Sequence, residues 1–117
     1  MYKTIKTTKD NREVITSLTN KLALGAENVI ARIAIAHSLA QGERLDLNQV
    51  GNSQGKEYTR NILFGENAPY YEAMVCQLYG VYKSDKDLSK MIKAHLDDGL
   101  VKLSALELTS DTLINLL

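Results

Sequence analysis

The chain has 117 residues, of which 44% are hydrophobic and 24% charged, and its formal net charge at pH 7 is zero. These values predict one domain over residues 1–117 with a modest core, and the single Pro and absent Trp favour helices. One Cys excludes an internal disulfide and favours a reducing cytoplasm, while the lack of an 18-residue apolar run and the polar N-terminus predict no membrane span and no secretory signal.

The charges are unevenly distributed along the chain. Residues 1–21 contain five cationic side chains and two acids, whereas residues 94–117 contain one cation and four acids. A basic front and an acidic end are typical of a protein that meets an anion at one end and a protein partner at the other. Two surface faces that merely differ in composition would give the same totals.

The first part of the chain, residues 1–42, is predicted to form a strand and two helices. Residues 2–8 interleave Lys with Thr, Ile and Tyr, which favour strands. Asp10, with Glu13 three residues later, predicts the N-cap of a helix over 10–23 that Gly25 ends. A second helix is predicted over 27–41, ending at Gly42. It is apolar nearly all round, so we expect it to be central or to lie in an oligomer interface.

The second part, residues 43–66, is predicted to be a polar loop followed by a short helix over 57–64. We expect Tyr58, Ile62 and Leu63 of that helix to point inward. This part contains three glycines, and its cationic side chains include Lys56 and Arg60.

The third part, residues 67–117, is predicted to be helical. Asn67 and Pro69 open a helix that continues to Gly80. Ser84 or Asp85 caps the next helix, which Gly99 closes, and Leu-rich segments follow at 100–108 and 112–117 with a cap at 109–111. The predicted fold class is therefore mainly α, a compact helical domain with a short N-terminal strand.

Residues suited to catalysis or metal binding are few. His37 and His95 lie among apolar residues without the spaced partners that zinc sites use, so packed, hydrogen-bonded histidines are the better interpretation. Cys76 is placed in mid-helix, where a free Cys usually behaves as a small hydrophobe. The adjacent Asp97 and Asp98 are interpreted as a solvated helix end. The sequence thus predicts no catalytic residue, no metal and no cofactor.

Anion binding has better support in the sequence. Lysines recur every three residues beside the first helix, Asn28 stands at the start of the second, and Lys56 and Arg60 are four residues apart. Such groups contact phosphates without reading bases, although a Lys-rich soluble surface would show the same pattern. We expect Glu at both 56 and 60 to abolish DNA binding without changing thermal stability. The predicted backbone contacts are Lys3, Lys6, Lys9, Lys21, Asn28, Lys56 and Arg60.

Three stretches of the chain resemble a known family. They are Leu22–Leu39, with Arg-Ile-Ala and then Ser-Leu; Ser53–Gly65, with its Gly, aromatic and Leu-Phe-Gly block; and His95–Leu100, His-Leu-Asp-Asp-Gly-Leu. In order and spacing they are similar to DndE, the small subunit of bacterial DNA phosphorothioation (sulfur modification) systems. Strand–helix–helix is also the order of the ribbon–helix–helix DNA binders.

The resemblance implies a ribbon–helix–helix-like N-terminal part and a homo-oligomer, a tetramer. It implies DndC-like (sulfurtransferase-type) and DndD-like (ATPase) subunits as partners, and binding to duplex DNA with a preference for nicked duplex. Lys56 lies inside a matching stretch, whereas Lys3, Lys6, Lys9 and Lys21 depend on the charge pattern alone. The zero net charge departs from strongly basic DNA binders, although an oligomer would gather several basic patches.

Three other functions remain open at this stage. A structural adaptor would dock the partner subunits through the acidic C-terminal segment and contact DNA little. A sulfur-handling or nicking enzyme would depend on Cys76 or the histidines. The strand–helix–helix order also allows a repressor or antitoxin, although the long helical C-terminal half is unlike a disordered toxin-binding tail.

Overall fold

The structure, a computed structural model, describes residues 2–106. These residues form two short strands and five helices. In chain order they are β1 (Thr4–Lys6), α1 (Lys9–Lys21), α2 (Glu27–Ala40), β2 (Glu57–Thr59), α3 (Arg60–Phe64), α4 (Ala68–Tyr79) and α5 (Leu88–Ser104). Two 3-10 turns lie at Leu47–Gln49 and Gly65–Asn67. The mainly helical class is confirmed, with a short N-terminal strand. No helix among the described residues is long and apolar enough to cross a membrane.

The core is centred on the crossing of α2 and α5. Both helices present fully buried aliphatic side chains to each other, including Ile35 of α2 and Leu96 of α5. At the crossing, a Cβ atom on Gly99 would overlap the carbonyl group of Ala34. The prediction that Gly99 ends this helix is wrong, because its missing side chain serves a close helix contact and α5 continues to Ser104.

The two strands pair antiparallel within one chain, in the register Thr4–Thr59, Ile5–Tyr58 and Lys6–Glu57. Ile5 and Tyr58 point into the core, at 2% and 3% exposure. The chain therefore enters α3 from a strand, which corrects the predicted helix over 57–64. Leu63 is buried as expected, but Ile62 is 55% exposed, so its predicted inward position is wrong.

The start of α1 differs from the prediction. The N-cap is Thr8, whose Oγ1 accepts a hydrogen bond from the Asn11 amide at 3.3 Å, and Asp10 lies within the first turn. A carboxylate oxygen of Asp97 in α5 accepts from the Thr8 amide at 3.1 Å and from the Asn11 side chain at 2.8 Å. This distant partner fixes Thr8 in the extended conformation that an N-cap requires.

The ends of the other helices follow the predicted glycines with small shifts. α1 ends at Lys21, and the first residue beyond it with a left-handed backbone is Ala23, at φ 53°, two residues before Gly25. α2 matches its prediction to within one residue, and Gly80 ends α4 in the left-handed region. Asp87 precedes α5 in the position expected for Ser84 or Asp85. The predicted cap at 109–111 and helix at 112–117 lie outside the described residues.

Candidate nucleic-acid interface

The Gly-rich loop, residues 51–56, is held against the β1–α1 junction by hydrogen bonds. The Gly55 amide donates to the Thr7 carbonyl at 2.9 Å, and the Lys56 amide donates to Thr7 Oγ1 at 3.0 Å. A Cβ atom on Gly55 would overlap the Thr8 carbonyl, so only glycine allows this approach. The loop glycines thus have a structural explanation, and the loop places its polar side chains beside β1 and α1.

Four of the predicted DNA contacts are exposed lysines at or near the surface of β1 and α1. None of their ammonium groups lies within 4.0 Å of a carboxylate among residues 2–106. Lys6 and Lys9 flank the Gly-rich loop, because Lys6 lies beside Ser53 and Lys9 beside Gln54. Lys21 is at the other end of α1, about 18 Å away along the helix axis. The fourth is Lys3, whose carbonyl accepts from the Arg60 amide.

The predicted contacts near the start of α2 are partly engaged within the chain. The ammonium of Lys56 lies 3.8 Å from a carboxylate oxygen of Glu27, the first residue of α2. Asn28 donates from Nδ2 to the carbonyl of Ile62 at 3.1 Å and so ties α2 to α3. Because Glu27 already places a negative charge at this helix N-terminus, a phosphate would be opposed there.

Arg60 is held by a buried carboxylate. Its Nε and a terminal nitrogen donate to the two carboxylate oxygens of Glu72 at 2.7 and 2.9 Å, and the Tyr2 hydroxyl donates to the same carboxylate at 2.7 Å. Glu72 is fully buried. The hydrogen bonds from Arg60, and then that from Tyr2, hold the pKa of Glu72 below its ordinary range despite burial. Arg60 therefore has a structural role, which contradicts the expectation of unchanged stability on its replacement.

Cationic side chains of α5 belong to the same surface and were missed in the sequence. Lys90 and Lys93 line a depression together with Lys6 of β1. The ammonium of Lys93 donates to Asp97 Oδ2 at 2.7 Å, whereas no carboxylate lies within 4.0 Å of Lys90 in the described chain. The lysines were visible in the sequence, but nothing local shows that α5 packs against β1.

His95 lies at the centre of a directional hydrogen-bond chain. It is fully buried, with Nδ1 2.8 Å from Ser38 Oγ and Nε2 2.8 Å from the Tyr79 hydroxyl. Since Ser38 donates its only proton to Asp98 Oδ2 at 2.7 Å, Nδ1 of His95 must carry the proton, and Nε2 accepts from Tyr79. The expected packed, hydrogen-bonded histidine is confirmed at position 95, and burial lowers its pKa.

The two adjacent aspartates are internal anchors, so the predicted solvated helix end is wrong. Asp97 joins α5 to the start of α1 and to Lys93, and Asp98 joins α5 to Ser38 and, at 3.0 Å, to Lys102. The error follows from ending the helix at Gly99, because in the longer α5 both residues lie at least six residues before its last residue, Ser104.

Cys76 lies in α4, half-buried, and burial raises the pKa of its thiol, which disfavours the reactive thiolate. Among residues 2–106 no three His, Cys, Asp or Glu side chains are grouped closely enough to hold a metal ion. The described chain thus presents an exposed basic corner, formed by Lys3, Lys6 and Lys9 at β1 and the start of α1.

Solved structures share this fold. One is the crystal structure of DndE from Escherichia coli B7A, described as involved in DNA phosphorothioation modification, with a TM-score of 0.70 and 20% identity. Another is a DndE variant with two glycines replaced by lysine, described as involved in DNA phosphorothioation, with a TM-score of 0.73 and 21% identity. Each match covers 88% of this chain and 98% of the other.

No curated protein sequence matches the chain. The sequence profile of one family does match, over residues 4–110, and its description is DNA sulphur modification protein DndE. That match includes every helix and strand described above. The chain therefore belongs to the DndE family of DNA sulphur modification proteins.

Proposed function

We propose that this protein is the accessory DNA-binding subunit of a DNA phosphorothioation complex and contacts the backbone of duplex DNA, with a preference for nicked duplex. The observation that carries the proposal is the basic corner formed by Lys3, Lys6 and Lys9, whose ammonium groups make no ion pair within the described chain. Unpaired, exposed ammonium groups neutralise phosphates and release counterions. Membership in a DNA sulphur modification family supports DNA as the anion.

The remaining predicted contacts differ in how well they suit this role. Lys21 is exposed but lies at the far end of α1, so it would reach a different part of the duplex. Lys56 shares its charge with Glu27, and Asn28 is engaged with the α3 backbone. Arg60 is the least available because Glu72 holds it. The proposed interface is therefore centred on the three N-terminal lysines, with Lys56 at its edge.

We also propose that the protein assembles as a homo-oligomer, a tetramer, beside DndC-like and DndD-like subunits. Support comes from large apolar side chains left exposed on α3 and α4: Ile62 at 55%, Tyr70 at 70% and Met74 at 44%. An oligomer would also bring several basic corners to one duplex, which offsets the zero net charge of each chain.

The adaptor alternative gains less support from the structure. Two of the four acids in residues 94–117, Asp97 and Asp98, are bonded within the chain, which leaves them less available for an acidic docking surface. The other two, Glu107 and Asp111, lie outside the described residues. Retention of partner subunits by a chain lacking residues 107–117 would argue against this alternative.

DNA binding is tested with a variant pair matched in charge. Lys3→Ala with Lys9→Ala removes two lysines of the basic corner, and Lys83→Ala with Lys86→Ala removes two exposed lysines elsewhere. Affinity for nicked and intact duplexes of one sequence is measured by fluorescence anisotropy at several salt concentrations. We expect the first variant to bind more weakly, with a salt slope smaller by about 0.9 for each phosphate that is no longer neutralised, and the control to be unchanged.

Equal affinities of the two variants would remove the basic corner from the interface. Absence of binding by the unmodified protein at low salt would overturn the DNA-binding proposal and favour the adaptor. Equal affinity for nicked and intact duplex would overturn only the preference for nicks.

A further inference from the structure

A small depression lies where β1, the Gly-rich loop and the start of α5 meet, and we name it the β1–α5 depression. Its volume is about 210 Å³. Polar residues from three separate segments line it, namely Thr4 and Lys6 from β1, Ser53 from the loop, and Ser89, Lys90 and Lys93 from α5. Segments far apart in sequence thus bring three lysines and three hydroxyl-bearing residues to one concave surface.

The charge of the depression is positive. Lys6 and Lys90 are exposed and have no carboxylate within 4.0 Å among residues 2–106, and no lining residue is acidic. Lys93 is 7% exposed and its charge is offset by Asp97, which accepts one of its three N–H donors at 2.7 Å. Glu57 lies opposite Lys6 in the strand register but does not line the depression.

The start of α5 also carries backbone donors, and they belong to residues that line the depression. Asp87 makes no side-chain capping bond, and within the described chain the amides of Ser89 and Lys90 donate to no acceptor. In a 17-residue helix such first-turn amides carry the positive end of the helix dipole. The ammonium, hydroxyl and amide groups here are all donors, and together they suit a compact anion with several acceptor oxygens.

The size and lining of the depression decide which anion it fits. Pockets for whole small molecules usually have volumes of about 300–1,000 Å³, so this depression is too small for a nucleotide. No aromatic residue lines it, so a base would find no stacking partner. We infer that the β1–α5 depression binds one phosphate group, supplied by the backbone of the duplex. The inference that DNA supplies this phosphate rests on the proposed function. The inference that the depression binds a phosphate depends on its lining residues alone.

The phosphate site is tested first without DNA. Inorganic phosphate is titrated into the full chain at constant ionic strength kept with NaCl, and backbone amide shifts are followed by NMR. We expect saturable shifts at residues 53, 89 and 90. Lys6→Ala with Lys90→Ala should abolish them. Ser53→Ala with Ser89→Ala, which leaves all charge in place, should weaken phosphate binding about three- to tenfold, as expected when hydrogen bonds to the anion are removed. Lys83→Ala with Lys86→Ala should change nothing.

The serine variant separates a defined site from a diffuse positive field, because a diffuse field does not depend on hydroxyl groups. Shifts that never saturate, or that survive unchanged in the serine variant, would overturn the site. Folding of each variant is checked by far-UV circular dichroism and by the shifts of core amides, so that loss of structure is not mistaken for loss of a ligand.

The source of the phosphate is tested with duplex DNA. The Lys6, Lys90 variant should neutralise one phosphate fewer, which lowers the salt slope of duplex binding by about 0.9, and duplex should displace inorganic phosphate. Phosphate binding that duplex does not displace would overturn the DNA source and leave a site for a small phosphorylated molecule. Duplex binding without phosphate binding would overturn the site and leave the proposed function standing, since Lys3 and Lys9 lie outside the depression.

Discussion

At the scale of single residues, Arg60 and Lys56 show that two cations four residues apart have different roles. Arg60 makes a two-point contact with the fully buried Glu72, whereas Lys56 makes one longer contact with the more accessible Glu27. Removing one partner of a buried pair leaves the other charge buried without compensation. A surface pair at 3.8 Å contributes little.

We predict that Arg60→Ala lowers the free energy of unfolding by about 2–3 kcal/mol and that Lys56→Ala lowers it by less than about 0.5 kcal/mol. The value for Arg60 is below that of a wholly buried pair because its side chain is 37% exposed. Urea denaturation followed by circular dichroism measures both. Equal effects of the two substitutions would show that the Glu72 contact adds no stability.

His95 gives the stability a dependence on pH that can be assigned to one residue. Burial lowers the pKa of His95 in the folded protein, while an unfolded histidine titrates near about 6.5. As the pH falls below that value, the unfolded chain takes up a proton that the folded chain does not, so stability falls. Protonation would also give Nε2 a hydrogen, which conflicts with the bond that it accepts from Tyr79.

We therefore predict that the free energy of unfolding decreases between about pH 7 and pH 5, and that His95→Gln flattens this decrease while lowering stability at pH 7. Urea denaturation at half-unit pH intervals measures the slope. His37→Gln is the control, because it leaves the buried chain of hydrogen bonds intact. If His95→Gln leaves the slope unchanged, the pH dependence of the unfolding free energy belongs to other groups. The loss expected from Glu72, whose pKa is also lowered, occurs at lower pH, below about 4.3.

At the scale of elements, the crossing of α2 and α5 depends on Gly99. We predict that Gly99→Ala destabilises the protein by at least about 2 kcal/mol, even though Ala favours helix by about 1 kcal/mol in isolation. The added methyl group would overlap the backbone of Ala34, which cannot be relieved by a side-chain rotation. Val101→Ala, at an exposed position of α5, is the matched control and should be nearly neutral. Thermal unfolding distinguishes the two, and equal melting temperatures would contradict the close crossing.

The same glycine shows where sequence reasoning succeeds and where it fails. Helical periodicity and glycine at positions such as Gly80 give α1, α2 and α4 to within about two residues, because these signals are local. Gly99 has the same local signature as a terminator, yet its role is set by a helix 65 residues earlier in the chain. Likewise Thr8 is the cap of α1 because Asp97 of α5 holds it.

The candidate site also has features that the sequence predicts and features that only tertiary packing decides. Lysine spacing alone identifies Lys3, Lys6 and Lys9 as exposed cations, since charged side chains on short polar segments are usually at the surface. Their neighbours are decided by tertiary packing. The sequence gives no sign that Lys90 lies beside Lys6, or that Glu72 holds Arg60, because each pair is joined only when the elements pack.

At the scale of the whole molecule, large apolar side chains are left exposed on α3 and α4. Along α4, Tyr70 and Met74 are four residues apart and so share a face, and Met74 borders a groove with Ala36 and Leu39 of α2. Ile62 of α3 lies at the other end of α2, beside Asn28. The α2 side chains at this surface are only half-buried, although the helix is apolar nearly all round. This surface is the one that we expect a second copy to cover.

We predict that Ile62→Glu with Met74→Glu lowers the mass of the protein in solution toward the 13.0 kDa of one chain, because a charge buried in an apolar contact is costly. Size-exclusion chromatography with light scattering measures the mass, and circular dichroism confirms that the helices remain. Tyr82→Glu with Val101→Glu is the control, since both residues are exposed and apolar but lie outside α2, α3 and α4. An oligomer that only the control disrupts would place the interface elsewhere. Since an oligomer gathers several basic corners, the dissociated variant should also bind duplex DNA more weakly while keeping every lysine.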